Sequence, residues 1–221
     1  MEVSNLDLIC MQKPFIKKLR LAEKHLSKSC PKLNDWIAEV GRCELIPVWD
    51  REPFESLVRA VAHQQLHGKA AESILGRMVA RFPEQSFPTP LQLSRMRVPS
   101  CRKCGFSSAK TAAIHGIAKG TIQGMVPNRE AANSMSDEAL VESLTELRGI
   151  GKWTVEMLLI FTMGRLDIMP VDDFGVRAGL QHLYGLDKMP KKIEFAKWTD
   201  SWKPFRSIGA WYLWRLADAR K

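Results

Sequence analysis

The sequence predicts an all-α fold. Apolar residues recur at three- and four-residue spacing along most of the chain, and Pro, Ser and Gly stand where such stretches would start and stop. No segment alternates apolar with polar residues over the length of a strand. Pro53, suited to a first helical turn, leads into Phe54, Leu57, Val58, Val61 and Ala62. Ala70, Ile74, Leu75, Met78 and Val79 continue on a second helix that ends before Pro83, with a bend expected at Gly68. Ser108 to Lys119 reads as a helix ended by Gly120. Ser136 is a good N-cap, with Asp137 and Glu138 against the positive end of the dipole. Its helix runs through Leu140, Val141, Leu144 and Leu147 and stops at Gly149. The next begins near Lys152 and carries Val155, Leu158, Leu159 and Phe161 inward. The last long helix starts near Pro204 and holds Ile208, Trp211, Leu216 and Ala217. Residues 83–90 and 120–135 read as loops.

Composition narrows the function. The 221 residues carry 33 Lys+Arg against 24 Asp+Glu, a formal net charge of +9, which suits a polyanionic partner. Hydrophobic residues at 45% and charged residues at 26% exclude disordered and fibrous classes. Apolar runs such as Met157 to Phe161 are far short of the roughly 20 residues a membrane span needs, so no membrane association is expected. The N-terminus lacks a basic start followed by an apolar core, and the five cysteines are an odd number. The expectation is an unsecreted protein without a disulfide framework, in the cytoplasm (at the nucleoid) of a bacterium or the nucleus of a eukaryote. Cys101-Arg102-Lys103-Cys104 is a lone C-x-x-C, too little for zinc, so neither a metal nor another cofactor is expected.

Leu147-Arg148-Gly149-Ile150-Gly151-Lys152-Trp153-Thr154 lies between two well-signalled helices. Two glycines one residue apart let the backbone turn sharply and approach a neighbour closely. The second helix would point free N–H groups and its positive dipole end outward, an anion site that suits a DNA phosphate. Lys152 adds a charge, and Ile150 anchors the turn. A tight connection that binds nothing would also use Gly-x-Gly.

About twenty residues on stands Pro170-Val171-Asp172-Asp173-Phe174-Gly175-Val176-Arg177. Adjacent carboxylates at a helix start are what an N-cap and first turn would use. They are also a negative charge placed beside a phosphate grip, where repulsion costs binding energy, and such a cost suggests a chemical purpose.

The string around Gly149 and Gly151 resembles the helix-hairpin-helix element, with Arg148 where proline is common. Together with Pro-Val-Asp-Asp-Phe-Gly-Val-Arg, Trp202-Lys203-Pro204-Phe205-Arg206-Ser207, the stretch from Pro53 to Leu66, and Cys104-Gly105-Phe106-Ser107 with Lys110, it resembles the helix-hairpin-helix DNA glycosylases. It is most similar to the 3-methyladenine DNA glycosylase II group, over residues 50–215, in the compact form without an N-terminal sheet domain.

The resemblance implies two helical subdomains with a cleft between them and the hairpin at their junction. Residues 49–151 would form one, and residues 1–48 with 152–221 the other. It implies a monomer that binds duplex DNA containing damaged bases, flips a base out and cuts its N-glycosidic bond. Asp173 would be the catalytic carboxylate and Asp172 a supporting cap. Relatives that also cut the backbone carry Lys where this chain has Trp153, so a monofunctional hydrolase of alkylated purines, with no Schiff base, is expected. Trp153, Phe174 and Trp214 would line the base pocket, with Met157 where some relatives place Tyr. An electron-poor alkylated purine stacks well on an indole, although Trp214 also fits the core side of a final helix. Gln64, Gln65, Leu66 and His67 would enter the gap left by the flipped base. Gly149, Gly151, Lys152, Thr154 and Lys69 would hold DNA, with Lys110 a further phosphate candidate. A protein of the same fold that binds lesions without cutting them, or a glycosylase for deaminated or oxidised purines, are the alternatives.

Overall fold

The computed structural model describes residues 5–66 and 68–220, with side chains from Gln12 onward. Among these residues there are helices and no strands. In chain order the helices are α1 (Asn5–Ser29), α2 (Pro31–Val40), α3 (Pro53–His63), α4 (Gly68–Val79), α5 (Pro90–Arg95), α6 (Val98–Cys104) and α7 (Ser108–Ile122). There follow α8 (Arg129–Ser134), α9 (Asp137–Thr145), α10 (Lys152–Phe161), α11 (Phe174–Tyr184), α12 (Phe195–Thr199) and α13 (Arg206–Ala219). The chain forms two compact units. One comprises the residues up to Asp50 together with Leu159 onward, and the other runs from Arg51 to Leu158.

The first unit is built on α11 and α13. At Gly179 the two helices meet backbone to backbone, since a Cβ there would lie 2.1 Å from the carbonyl oxygen of Leu213. The α2 helix is tied to the same core: Trp36 Nε1 donates to the carbonyl of Tyr212 at 2.9 Å, and the Tyr212 hydroxyl donates to Gly41 at 2.8 Å. Trp202 is fully buried against Gly209, where a Cβ would come within 2.4 Å of its ring. These contacts fix the start of α11, where Asp173 stands.

The second unit packs α3 and α5 on α7. Here two expectations are corrected. Helix α7 does not end at Gly120 but runs through it to Ile122. A Cβ at Gly120 would lie 2.8 Å from Leu147 Cδ2, so the glycine makes room for the hairpin's Leu147 rather than stopping the helix. Residues 120–135 are not all loop either: Asn128 caps α8 by accepting from the Ala131 N–H at 2.9 Å. The chain bends at Leu66, and Gly68, where the sequence predicts a bend, opens α4. The Ser136 cap forms as expected, its hydroxyl accepting from the Ala139 N–H at 3.1 Å. Cys101 and Cys104 are buried on α6, and Arg77 of α4 donates to the carbonyl of Cys104 at 2.8 Å. No cluster of three or more metal-ligating side chains occurs among the described residues.

Candidate functional site

The side chain of Asp173 starts α11. Its Oδ1 accepts from the Val176 N–H at 2.9 Å, closing the cap. The same oxygen accepts from the indole Nε1–H of Trp214, on α13, at 2.8 Å. A carboxylate receiving two N–H groups on one oxygen is held in a single orientation. Gly175 makes this possible. A Cβ at Gly175 would lie 2.8 Å from Trp214 Cδ1 and 3.2 Å from Asp173 Oδ1, so any larger residue would push the indole off the carboxylate. Gly175 is a site residue whose role the Asp-Asp-Phe-Gly string does not disclose, because its neighbour Trp214 lies on another helix.

Asp173, Phe174, Gly175 and Trp214 border an open pocket of about 470 Å³. Further along it lie Ala178, Gln181, His182 and Met189. Phe174 is 72% exposed, so its ring is available to a ligand rather than committed to a core. Trp214 also meets Phe161, with ring centroids 5.4 Å apart. Phe161 therefore does not turn fully inward as the helical periodicity suggests; it stays 36% exposed at the end of α10. Trp153 and Met157 are half-buried and share that face of α10 at four-residue spacing. Asp172 does not cap. It is exposed and pairs with Lys192, because the residue that adopts the N-cap position is Asp173.

The hairpin belongs to the Arg51–Leu158 unit. Gly149 has φ +85, and a Cβ there would lie 2.9 Å from Ala113 Cβ on α7, so the fold demands glycine twice over. Leu147 and Ile150 are buried beneath the turn. Gly151 differs: a Cβ there would meet open space, and its φ is not positive. Lys152 is exposed, with its ammonium 3.7 Å from Glu156 one turn on. Thr154 is only 2% exposed, and its hydroxyl faces inward to Gln64.

The turn between α3 and α4 splits the residues expected to enter DNA. Gln64 points inward: its Nε2 donates to the carbonyl of Gly149 at 3.2 Å and to Thr154 Oγ1 at 3.4 Å. Gln65, with φ +56, and Leu66 are exposed. His67 lies outside the described residues. Lys69 is exposed in the first turn of α4. Lys110, a further phosphate candidate, turns its ammonium to backbone, donating to the carbonyls of Ala62 at 2.8 Å and Gln64 at 2.7 Å.

The model of the HhH-GPD superfamily of base excision DNA repair proteins matches residues 58–204, from α3 through the hairpin and Asp173 to Pro204. The chain belongs to this superfamily. Among HhH-GPD relatives, it is 46% identical over 174 residues to DNA-3-methyladenine glycosylase 1 of Schizosaccharomyces pombe, covering 77% of this chain and 76% of that one. It is 38% identical to the alkylbase DNA glycosidase-like protein mag2 of the same yeast, covering 88% and 92%. The solved structure of S. pombe 3-methyladenine DNA glycosylase (Mag1) in complex with abasic DNA superposes with a TM-score of 0.80 at 43% identity, over 88% of this chain and 95% of that one. A DNA-3-methyladenine glycosidase from Bacillus halodurans superposes equally, with a TM-score of 0.80 at 30% identity, over 90% and 91%. No described helix is long and apolar enough to cross a membrane.

Proposed function

We propose that the protein is a monofunctional DNA glycosylase that excises alkylated purines of the 3-methyladenine type from duplex DNA. The observation that carries the reading is Asp173: a carboxylate held by the Val176 and Trp214 N–H groups at the edge of an open pocket. Acting alone, such a group would be a helix cap. Set in a pocket beside the exposed Phe174 ring and the half-buried Trp214 indole, in an HhH-GPD chain, it suits cleavage of a sugar–base bond.

The base must leave the stack before its sugar can be reached, because the glycosidic bond is buried in the duplex. Phosphates flanking the lesion fit the hairpin. The open space at Gly151 lets backbone approach backbone, and the N-terminus of α10 with Lys152 supplies positive charge. In the extruded nucleotide the bond between C1′ and the base nitrogen stretches, and its electron pair leaves with the base. Alkylation makes that base electron-poor, so it departs readily and stacks on indole and phenyl rings, the role proposed for Phe174 and Trp214 at the pocket edge. Positive charge grows on the sugar ring, and the fixed Asp173 carboxylate stabilises it. A water molecule then bonds to C1′ and gives up a proton, leaving an abasic site. Trp153 occupies the position where a lysine would form a Schiff base, so hydrolysis ends the reaction and the strand stays intact.

Incubating the protein, as a monomer, with duplex DNA carrying 3-methyladenine tests the reading. Free base and an alkali-labile, otherwise unbroken strand are expected, with no adduct on borohydride treatment. Strand cleavage without alkali, or binding of the lesion with no base released, would contradict it.

A further inference from the structure

Four hydrogen bonds converge on the short turn between α3 and α4. Lys110, in the first turn of α7, reaches across and donates to the carbonyls of Ala62 and Gln64, at 2.8 and 2.7 Å. These carbonyls close the C-terminal end of α3, where backbone oxygens lack helical partners and the dipole favours a cation. From the other side of the same residue, the Gln64 amide donates to the hairpin carbonyl of Gly149. Gln64 also meets Thr154 Oγ1, on α10. The residue that follows, Gln65, is the sole non-glycine with positive φ among the described residues. Such a conformation persists where the surroundings over-determine it, and two clamps on Gln64 do so. Burial lowers the pKa of the Lys110 ammonium, so holding a cation here has a cost that the two carbonyls offset.

We propose that Lys110 and Gln64 are positioning residues that lock the α3–α4 turn to the hairpin, so that Gln65 and Leu66 are presented as a rigid wedge to the gap left by an extruded base. The inference rests on the glycosylase reading above. It makes the phosphate grip and the gap-filling turn one mechanical piece: when the hairpin seats on the backbone, Gln64 sets where the wedge falls. Neither residue touches the reacting sugar. Their effect is on how easily a paired base leaves the stack, not on the bond that breaks. The exposed Gln65 and Leu66 side chains do the inserting.

The test compares two duplexes. In one, 3-methyladenine is paired normally; in the other it lies opposite an abasic-site analogue, where no partner has to be given up. Lys110→Met keeps the side-chain length and removes the donors. Single-turnover excision from the paired duplex is expected to fall about 10- to 100-fold, the scale for a group displaced by an ångström. Excision of the unpaired lesion should keep most of its rate. Gln64→Leu, at a half-buried position, should show the same split, and it carries the test if Lys110→Met melts early. A second readout needs no catalysis: 2-aminopurine beside an abasic-site analogue changes fluorescence when a side chain fills the gap. The wild type should give that change, and both variants should bind the DNA while losing it. Equal losses on the two duplexes, or a wild-type fluorescence response in both variants, would overturn the inference. If the wild-type protein releases no base, the glycosylase function fails, and the fluorescence comparison decides the clamp separately.

Discussion

The indole N–H of Trp214 lies 2.8 Å from the carboxylate of Asp173, and Gly175 is the space through which it reaches. The relationship joins the last long helix to the start of α11. It makes one oxygen of Asp173 a fixed point shared by a helix cap and a ring that borders the pocket.

Trp214→Phe keeps a ring and removes the donor. A hydrogen bond to a charged group contributes about 1.5–3 kcal/mol, so base release should slow about 10- to 150-fold. Phenylalanine still fills most of the indole's place, so the melting temperature should change little. Single-turnover kinetics beside a thermal melt check both halves.

Gly175→Ala should give a similar loss by a different route. The added methyl, 2.8 Å from Trp214 Cδ1, must displace the indole. Alanine suits the first turn of a helix, so the change should leave the helix content seen by circular dichroism intact while base release falls about tenfold or more.

The two hairpin glycines should separate cleanly. Gly149→Ala meets both a positive φ and Ala113 Cβ at 2.9 Å, and should cost about 1–3 kcal/mol of stability. Gly151→Ala meets open space and should leave stability unchanged. It should still weaken DNA binding, because a methyl now stands between the backbone and a phosphate. Chemical denaturation and DNA titration at fixed salt, run on both variants, read the contrast.

Gly179→Ala should be the most damaging of these changes to the fold. Its Cβ would fall 2.1 Å from the Leu213 carbonyl oxygen, so α11 and α13 would have to separate. Overpacking of this kind costs about 1–3 kcal/mol, and more where backbone is the obstacle, which a urea titration measures.

The helical class is legible from periodicity, and α3 begins and α9 is capped where Pro53 and Ser136 indicate. The glycines are harder. Gly120 reads as a helix stop, yet its purpose is Leu147, a neighbour 27 residues away that no local pattern names. Helix-start chemistry alone does not tell Asp172 from Asp173, and the family resemblance makes Asp172 the cap, whereas Asp173 takes it. The difference appears once Asp173 N–H bonds Pro170 and Asp173 takes the cap, turning Asp172 out to Lys192. Gln64 and Gln65 look like one polar pair. The positive φ of Gln65 sends one side chain out and leaves the other against the hairpin, a distinction made by tertiary contacts. Phe161 could have been placed by extending the Trp153–Met157 spacing one more turn.

Asp173→Asn is the most direct test of the central claim. Asparagine caps helices as well as aspartate does, so the fold and the Val176 cap should survive. Only the charge is removed. The account predicts that this variant binds lesion-containing DNA at least as tightly as the wild type, since a repulsive carboxylate is gone, and releases no 3-methyladenine. Release at the wild-type rate would contradict it.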